Sequence, residues 1–231
     1  TEACRPHLLK ADKLLTVSQC TTVAVGMQKP GGSCGAKSTG TGFGKLCGSA
    51  LCQYTGNGTV AGICTAVCGK KSDCPETLSY GNIKYKTVCS SIFSATNDPA
   101  DEADDTYIPQ CILIHEKSTT KDCAATKTCA GTEACLAFAI ARGPGQPVSV
   151  EHLCVEQATA KQPKGPPKKT GEACDPNAAL PECGGGYCVD KVCSQTCNDD
   201  KGCANGTTCK PHTLIARPAG EASAATKLCL K

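Results

Sequence analysis

At 231 residues with 22 Cys, 3% aromatic residues, no Trp and only 3 Phe, the chain has too few large apolar side chains to fill an ordinary core. Each such side chain would contribute roughly 1.5–3 kcal/mol on burial, so cross-links must take over, and the cysteine fraction is that of a disulfide scaffold. A formal charge of +3, with no basic stripe interleaved with aromatics, argues against a nucleic-acid partner.

The chain is expected to be a small disulfide-rich fold, mostly β-hairpins and loops, in tandem cysteine-rich modules with little regular helix. Residues 1–33 hold Cys4 and Cys20 around a Leu-rich segment. Cys4-Arg5-Pro6-His7-Leu8-Leu9 echoes Cys209-Lys210-Pro211-His212-Thr213-Leu214, which suggests a partial module: the closing segment of a unit whose earlier part is missing. Pro30-Gly31-Gly32 is a turn signal ahead of the first full module.

Module A, residues 34–111, carries eight cysteines: Cys34, Cys47, Cys52, Cys64, Cys68, Cys74, Cys89 and Cys111. The half module, 112–154, carries Cys123, Cys129, Cys135 and Cys154. Residues 155–173 include Lys161 to Gly171, rich in Pro and Lys, and read as an extended, solvated linker. Module C, 174–231, repeats the eight at Cys174, Cys183, Cys188, Cys193, Cys197, Cys203, Cys209 and Cys229. Matching C-x4-C, C-x3-C and C-x5-C intervals in one order is a strong repeat signal, with insertions in module A after Cys52 and Cys74. The last interval of each copy holds an apolar run, a turn and a return run, as a β-hairpin does.

Repeat phase restricts the pairing. An opening unit with two cysteines closes locally only as Cys4–Cys20. The equivalent hairpin bridges are then Cys89–Cys111, Cys135–Cys154 and Cys209–Cys229, leaving Cys68–Cys74, Cys123–Cys129 and Cys197–Cys203. The first four cysteines of each full module would pair among themselves, in an order the sequence leaves open.

This disulfide density implies an oxidising compartment. The chain starts at Thr1 without a charged or apolar leader, which reads as an extracellular or cell-surface protein after signal-peptide removal. No apolar run reaches the length of a membrane helix.

No catalytic, cofactor or metal site is expected. C-x3-C occurs at Cys64/Cys68 and Cys193/Cys197, always inside a longer run, and no C-x-x-C is present, so disulfides outweigh zinc. None of His7, His115, His152 and His212 accompanies a nucleophile turn; His7 and His212 occupy matching repeat positions, which suits structure. The acidic run Asp98, Asp101, Glu102, Asp104 and Asp105 lacks calcium-loop spacing and reads as a solvated loop. Asn57-Gly58-Thr59 and Asn205-Gly206-Thr207 are glycan acceptors or tight turns, depending on the host.

The stretches Cys47 to Pro75 and Cys183 to Cys209 resemble the cysteine-rich repeats of secreted proteins and lipoproteins in myxobacteria and related bacteria. The resemblance implies an extracellular part without an assigned activity and supplies no catalytic residues. The expected function is a non-enzymatic structural or interaction protein with a protein partner or self-assembly, such as a surface fibre (filament) or coat. The alternative is a secreted binding module, either a receptor for protein or carbohydrate or a protease inhibitor presenting Arg142 or Arg217.

Overall fold

The structure, a computed structural model, describes residues 2–8, 16–22, 27–34, 47–49, 51–53, 62–80, 83–94, 106–141, 147–156, 167–176, 182–204, 206–215 and 223–231. Among these there is no α-helix; the regular structure is β-hairpins. Strands β1 (Glu2–Leu8) and β2 (Thr16–Thr22) pair antiparallel, as do β3 (Cys52–Gln53) and β4 (Ile63–Cys64). A three-stranded sheet follows, in the order β5 (Thr77–Tyr80), β6 (Ile83–Ser94), β7 (Thr106–His115). The remaining pairs are β8 (Glu133–Ala141) with β9 (Val148–Glu156), β10 (Tyr187–Val189) with β11 (Val192–Ser194), and β12 (Thr208–Ile215) with β13 (Ala224–Leu230). The fold is thus the disulfide-rich hairpin-and-loop type that the composition dictates.

Two compact units make up the chain. One takes Thr1–Leu113, Ile140–Ser149 and Arg217–Ala222; the other takes Ile114–Ala139, Val150–Ala216 and Ser223–Lys231. Inside each unit the local order is set by sulfur. In the first, Cys47 bonds Cys64, Cys68 bonds Cys89, and Cys74 bonds Cys111. In the second, the bonds are Cys123–Cys135, Cys129–Cys154, Cys174–Cys188, Cys183–Cys193, Cys197–Cys209 and Cys203–Cys229.

These pairings correct the expected hairpin bridges. Cys89–Cys111, Cys135–Cys154 and Cys209–Cys229 are not formed, and neither are Cys68–Cys74, Cys123–Cys129 and Cys197–Cys203. Cys209 and Cys229 do sit opposite each other in the hairpin register. Facing cysteines at such a position are close enough to bond. They instead reach the two cysteines of the preceding C-x5-C knuckle, first to third and second to fourth. A direct clasp would only repeat a constraint that the hairpin ladder already imposes; the crossed bonds tie a separate segment onto it. Cys4 stands opposite Cys20 in the β1–β2 register, but the side chains of both lie outside the described residues.

The insertion after Cys74 has a structural product. It supplies β5, whose register with β6 runs from Thr77↔Lys86 to Tyr80↔Ile83. Of the segment 155–173, Val155 and Glu156 belong to β9. Lys168 and Ala173 form bridges with Cys183 and Val192, and residues 157–166 lie outside the described set.

Candidate functional site

The recurring local structure is a four-cysteine circuit, and the described residues show five: 34–64, 68–111, 123–154, 174–193 and 197–229. A single backbone pattern defines all of them. The residue before the first cysteine bridges, antiparallel, to the residue before the fourth: Ser33↔Ile63, Val67↔Gln110, Asp122↔Leu153, Ala173↔Val192 and Thr196↔Leu228. Around each bridge the first and fourth cysteines donate their N–H groups reciprocally. Cys34 donates to the Gly62 carbonyl (2.9 Å) and Cys64 to Gly32 (2.8 Å); Cys174 donates to Lys191 and Cys193 to Glu172, both at 2.8 Å. In the longer circuits the pairs are Cys68 to Pro109 (3.2 Å) with Cys111 to Ala66 (2.8 Å), Cys123 to His152 (3.0 Å) with Cys154 to Lys121 (2.9 Å), and Cys197 to Lys227 (3.2 Å) with Cys229 to Gln195 (3.0 Å). Each full module is therefore two copies of one unit, and the half module is a single copy of it.

In the three circuits that begin C-x5-C, an Asp holds the turn at the first two cysteines. Asp73 Oδ2 accepts from the N–H groups of Gly69 (2.7 Å) and Lys70 (3.0 Å), and Asp199 Oδ1 accepts from Lys201 (3.0 Å). In the middle circuit Asp122 Oδ1 accepts from Ala124 N–H at 2.7 Å. An Asp carboxylate satisfies backbone donors at a tight turn, which accounts for the recurrence of C-x5-C.

Within each circuit three sulfurs lie within 4.8 Å of one another, for example those of Cys174, Cys183 and Cys193. Such a cluster could suggest a thiolate metal site, but a metal ligand is the ionised thiol. In the four circuits from Cys68 onward the sulfurs crowd because two disulfides cross side by side. The clusters are also the core: Cys123, Cys135 and Cys154 pack with Cys129, and Cys174, Cys183 and Cys193 pack with Cys188.

In the second unit, residues of the middle circuit contact the last two circuits through polar groups. Ala137 N–H donates to the Tyr187 hydroxyl at 2.7 Å, Thr196 Oγ1 donates to the Cys135 carbonyl at 2.8 Å, and Asn198 Nδ2 donates to the Ala125 carbonyl at 2.8 Å. Burial pushes the Tyr187 phenol up to about 12, partly offset by its bond with the Ala137 backbone. A raised folded value means this tyrosine contributes stability in full below its unfolded value near 10 and loses it as pH rises through about 12. In an alkaline absorbance titration, one of the 5 Tyr is expected to ionise last, and Tyr187→Phe should remove that phase. The same substitution leaves the Ala137 N–H without its partner, at a cost of about 1–3 kcal/mol in denaturant unfolding.

His152 on β9 forms a further polar contact of this junction, Nε2 to Thr226 Oγ1 on β13 at 3.1 Å. His212 faces the same Thr226 across the β12–β13 ladder. Burial lowers the His152 imidazole below its usual value, the Lys127 charge lowers it further, and Asp122 pulls the other way. A lowered folded value makes the neutral ring the docked form. Its contribution is present above pH ~6.5, the ordinary histidine value, and is lost as pH falls through the lower folded value. Unfolding measured from pH 7 to 4 should show this acid weakening, and His152→Gln should flatten it.

The other sequence-level candidates do not converge. His115 is exposed and its Nδ1 accepts from Lys117 N–H at 3.2 Å. The side chain of His7, the acidic run 98–105, Asn57, Asn205, Arg142 and Arg217 lie outside the described residues. The residues that sequence reasoning passed over are Tyr187 and Thr196. The one signal for them was Gly184-Gly185-Gly186 before Tyr187: a Cβ at Gly185 would meet the Ser194 carbonyl, and Gly186 has φ +84.

No family model matches the chain, and no curated protein or solved structure matches it. What stands is the chemistry. The chain is heavily disulfide-bonded, in keeping with an extracellular protein, and no helix among the described residues is long and apolar enough to cross a membrane.

Proposed function

We propose that the chain is a non-enzymatic structural or interaction protein of the extracellular space, and that it self-associates as part of a surface fibre or coat. The observation that carries this is the serial repetition of one cross-linked circuit, Cys34 to Cys229, with the same bonds each time. Serial circuits held by crossed disulfides give rigid, protease-resistant contact surfaces without a large core. The ionisable groups at the junction of the second unit support the same reading, since Tyr187 and His152 are engaged in holding its hairpins together. The likeness to the myxobacterial cysteine-rich repeats points the same way.

Light scattering of the oxidised chain up to high concentration, beside electron microscopy of the native material, tests this. Particles larger than one chain are expected. A monodisperse monomer burying no intermolecular surface beyond a crystal contact would end the proposal.

A further inference from the structure

In both circuits of module C the third cysteine faces the fourth across the hairpin, Cys188 opposite Cys193 and Cys209 opposite Cys229. Facing residues in an antiparallel pair stand about 4.5–5.5 Å apart at Cα, within disulfide reach. The bonds actually made are Cys174–Cys188 with Cys183–Cys193, and Cys197–Cys209 with Cys203–Cys229. The first cysteine of each circuit also has other sulfurs at hand. Cys174 Sγ lies within 4.8 Å of both sulfurs of the Cys183–Cys193 bond, and Cys197 Sγ within 4.8 Å of both sulfurs of Cys203–Cys229. A second bonding scheme, first to second and third to fourth, is therefore in place beside the one in use.

Access separates these circuits from their neighbours. Cys188 and Cys209 are half-buried, whereas the third cysteines Cys89 and Cys135 are 0% and 5% exposed. Exchange begins only where a thiolate can reach one sulfur of a bond. We infer that Cys188 and Cys209 are entry sites for a small-molecule thiol, which converts module C from crossed to clasped bonds.

In the last circuit the incoming thiolate attacks Cys209 Sγ and forms a mixed disulfide; the Cys197–Cys209 bond breaks, its electron pair leaving on Cys197. The Cys197 thiolate attacks Cys203 Sγ, forming Cys197–Cys203 and releasing Cys229 as thiolate. Cys229 then attacks Cys209 across the ladder, forming Cys209–Cys229 and expelling the small thiol. Every bond broken is replaced by one formed, nothing is oxidised or reduced overall, and the thiol is returned. Cys188, Cys174, Cys183 and Cys193 take the same parts, in that order, in the other circuit.

The conversion changes what holds the circuit together. Crossed bonds fasten the segment of Cys197 and Cys203 covalently to its hairpin. After exchange that segment keeps backbone bonds such as Cys197 N–H to the Lys227 carbonyl (3.2 Å) and Cys229 N–H to Gln195 (3.0 Å). Module C is locked while crossed and can open at this edge once clasped. The inference stands apart from self-association.

The oxidised full chain, incubated with reduced glutathione at about pH 8, where thiolate is populated, then acid-quenched and alkylated, tests it by mass mapping with fragmentation between neighbouring cysteines. Early samples should carry glutathione on Cys188 and Cys209 at least about tenfold more than on Cys89 and Cys135, since exchange follows access. Later samples should contain Cys188–Cys193 and Cys209–Cys229, while Cys123–Cys135 persists. No adduct at Cys188 or Cys209, adducts spread evenly over the cysteines, or crossed bonds alone in module C at late times would each overturn the switch, and none of these bears on self-association.

Discussion

Full reduction of the disulfides without denaturant is expected to abolish the fold. The largest fully buried side chains among the described residues begin with Ile63, Ile140, Leu228 and Val88, and the rest of that set is Thr65 and cysteines. Four aliphatic side chains contribute roughly 1.5–3 kcal/mol each. Ordering a single residue's backbone costs roughly 1–2 kcal/mol, so those side chains balance only a handful of residues. The packed clusters are made of the disulfides themselves, as where Cys68, Cys89 and Cys111 surround Ile140. Reduction therefore removes the staple and disperses the core together. After reduction and alkylation, the slow exchange of the Cys111, Cys154 and Cys193 amides, all donors in the circuit pattern, should collapse to that of an unfolded chain. Persistence of that protection would show that a core independent of sulfur exists.

The second large effect separates crossed from clasped hairpins. In the last circuit the Cys203→Ala/Cys229→Ala pair deletes one bond, between cysteines 26 residues apart, at a cost of about 3–4 kcal/mol from chain entropy. The Cys209→Ala/Cys229→Ala pair removes both facing residues of the hairpin, breaks two bonds and strands Cys197 and Cys203. It should be less stable than the first variant by about 3 kcal/mol more. Thiol titration under denaturing conditions should find none free in the first variant and two in the second. The reverse order of stabilities would mean that the hairpin is clasped directly.

The hairpins were legible because cysteines bounded them: Ile140-Ala141 and Ile215-Ala216 mark matching runs that end at Leu153-Cys154 and Leu228-Cys229. The pairing was misread for a physical reason. The hairpin of Cys4 and Cys20 has no preceding cysteines, so local closure is its only option, and that closure does not transfer to hairpins preceded by two further cysteines. Sequence intervals cannot reveal that Cys197 lies beside Lys227, because that closeness comes from a backbone bond between distant residues. The equivalence of the two halves of a module was hidden likewise, since one half has the short β10–β11 hairpin and the other the long β12–β13. Only the shared reciprocal bonds expose it. Thr196 and His152 were invisible as contacts because their partners, the Cys135 carbonyl and Thr226, lie on hairpins that spacing alone cannot bring together.

The middle circuit offers the most direct measurement. Digestion of the alkylated, unreduced protein with trypsin and a glutamate-specific protease separates Cys123, Cys129, Cys135 and Cys154 onto different peptides, cutting at Lys127, Glu133, Arg142 and Glu151. Mass spectrometry should find the peptide of residues 134–142 joined to that of 122–127, and 128–133 joined to 152–156, as the Cys123–Cys135 and Cys129–Cys154 bonds require. Peptide 134–142 joined to 152–156, or any of these cysteines recovered alkylated, would contradict the crossed circuit on which the account is built.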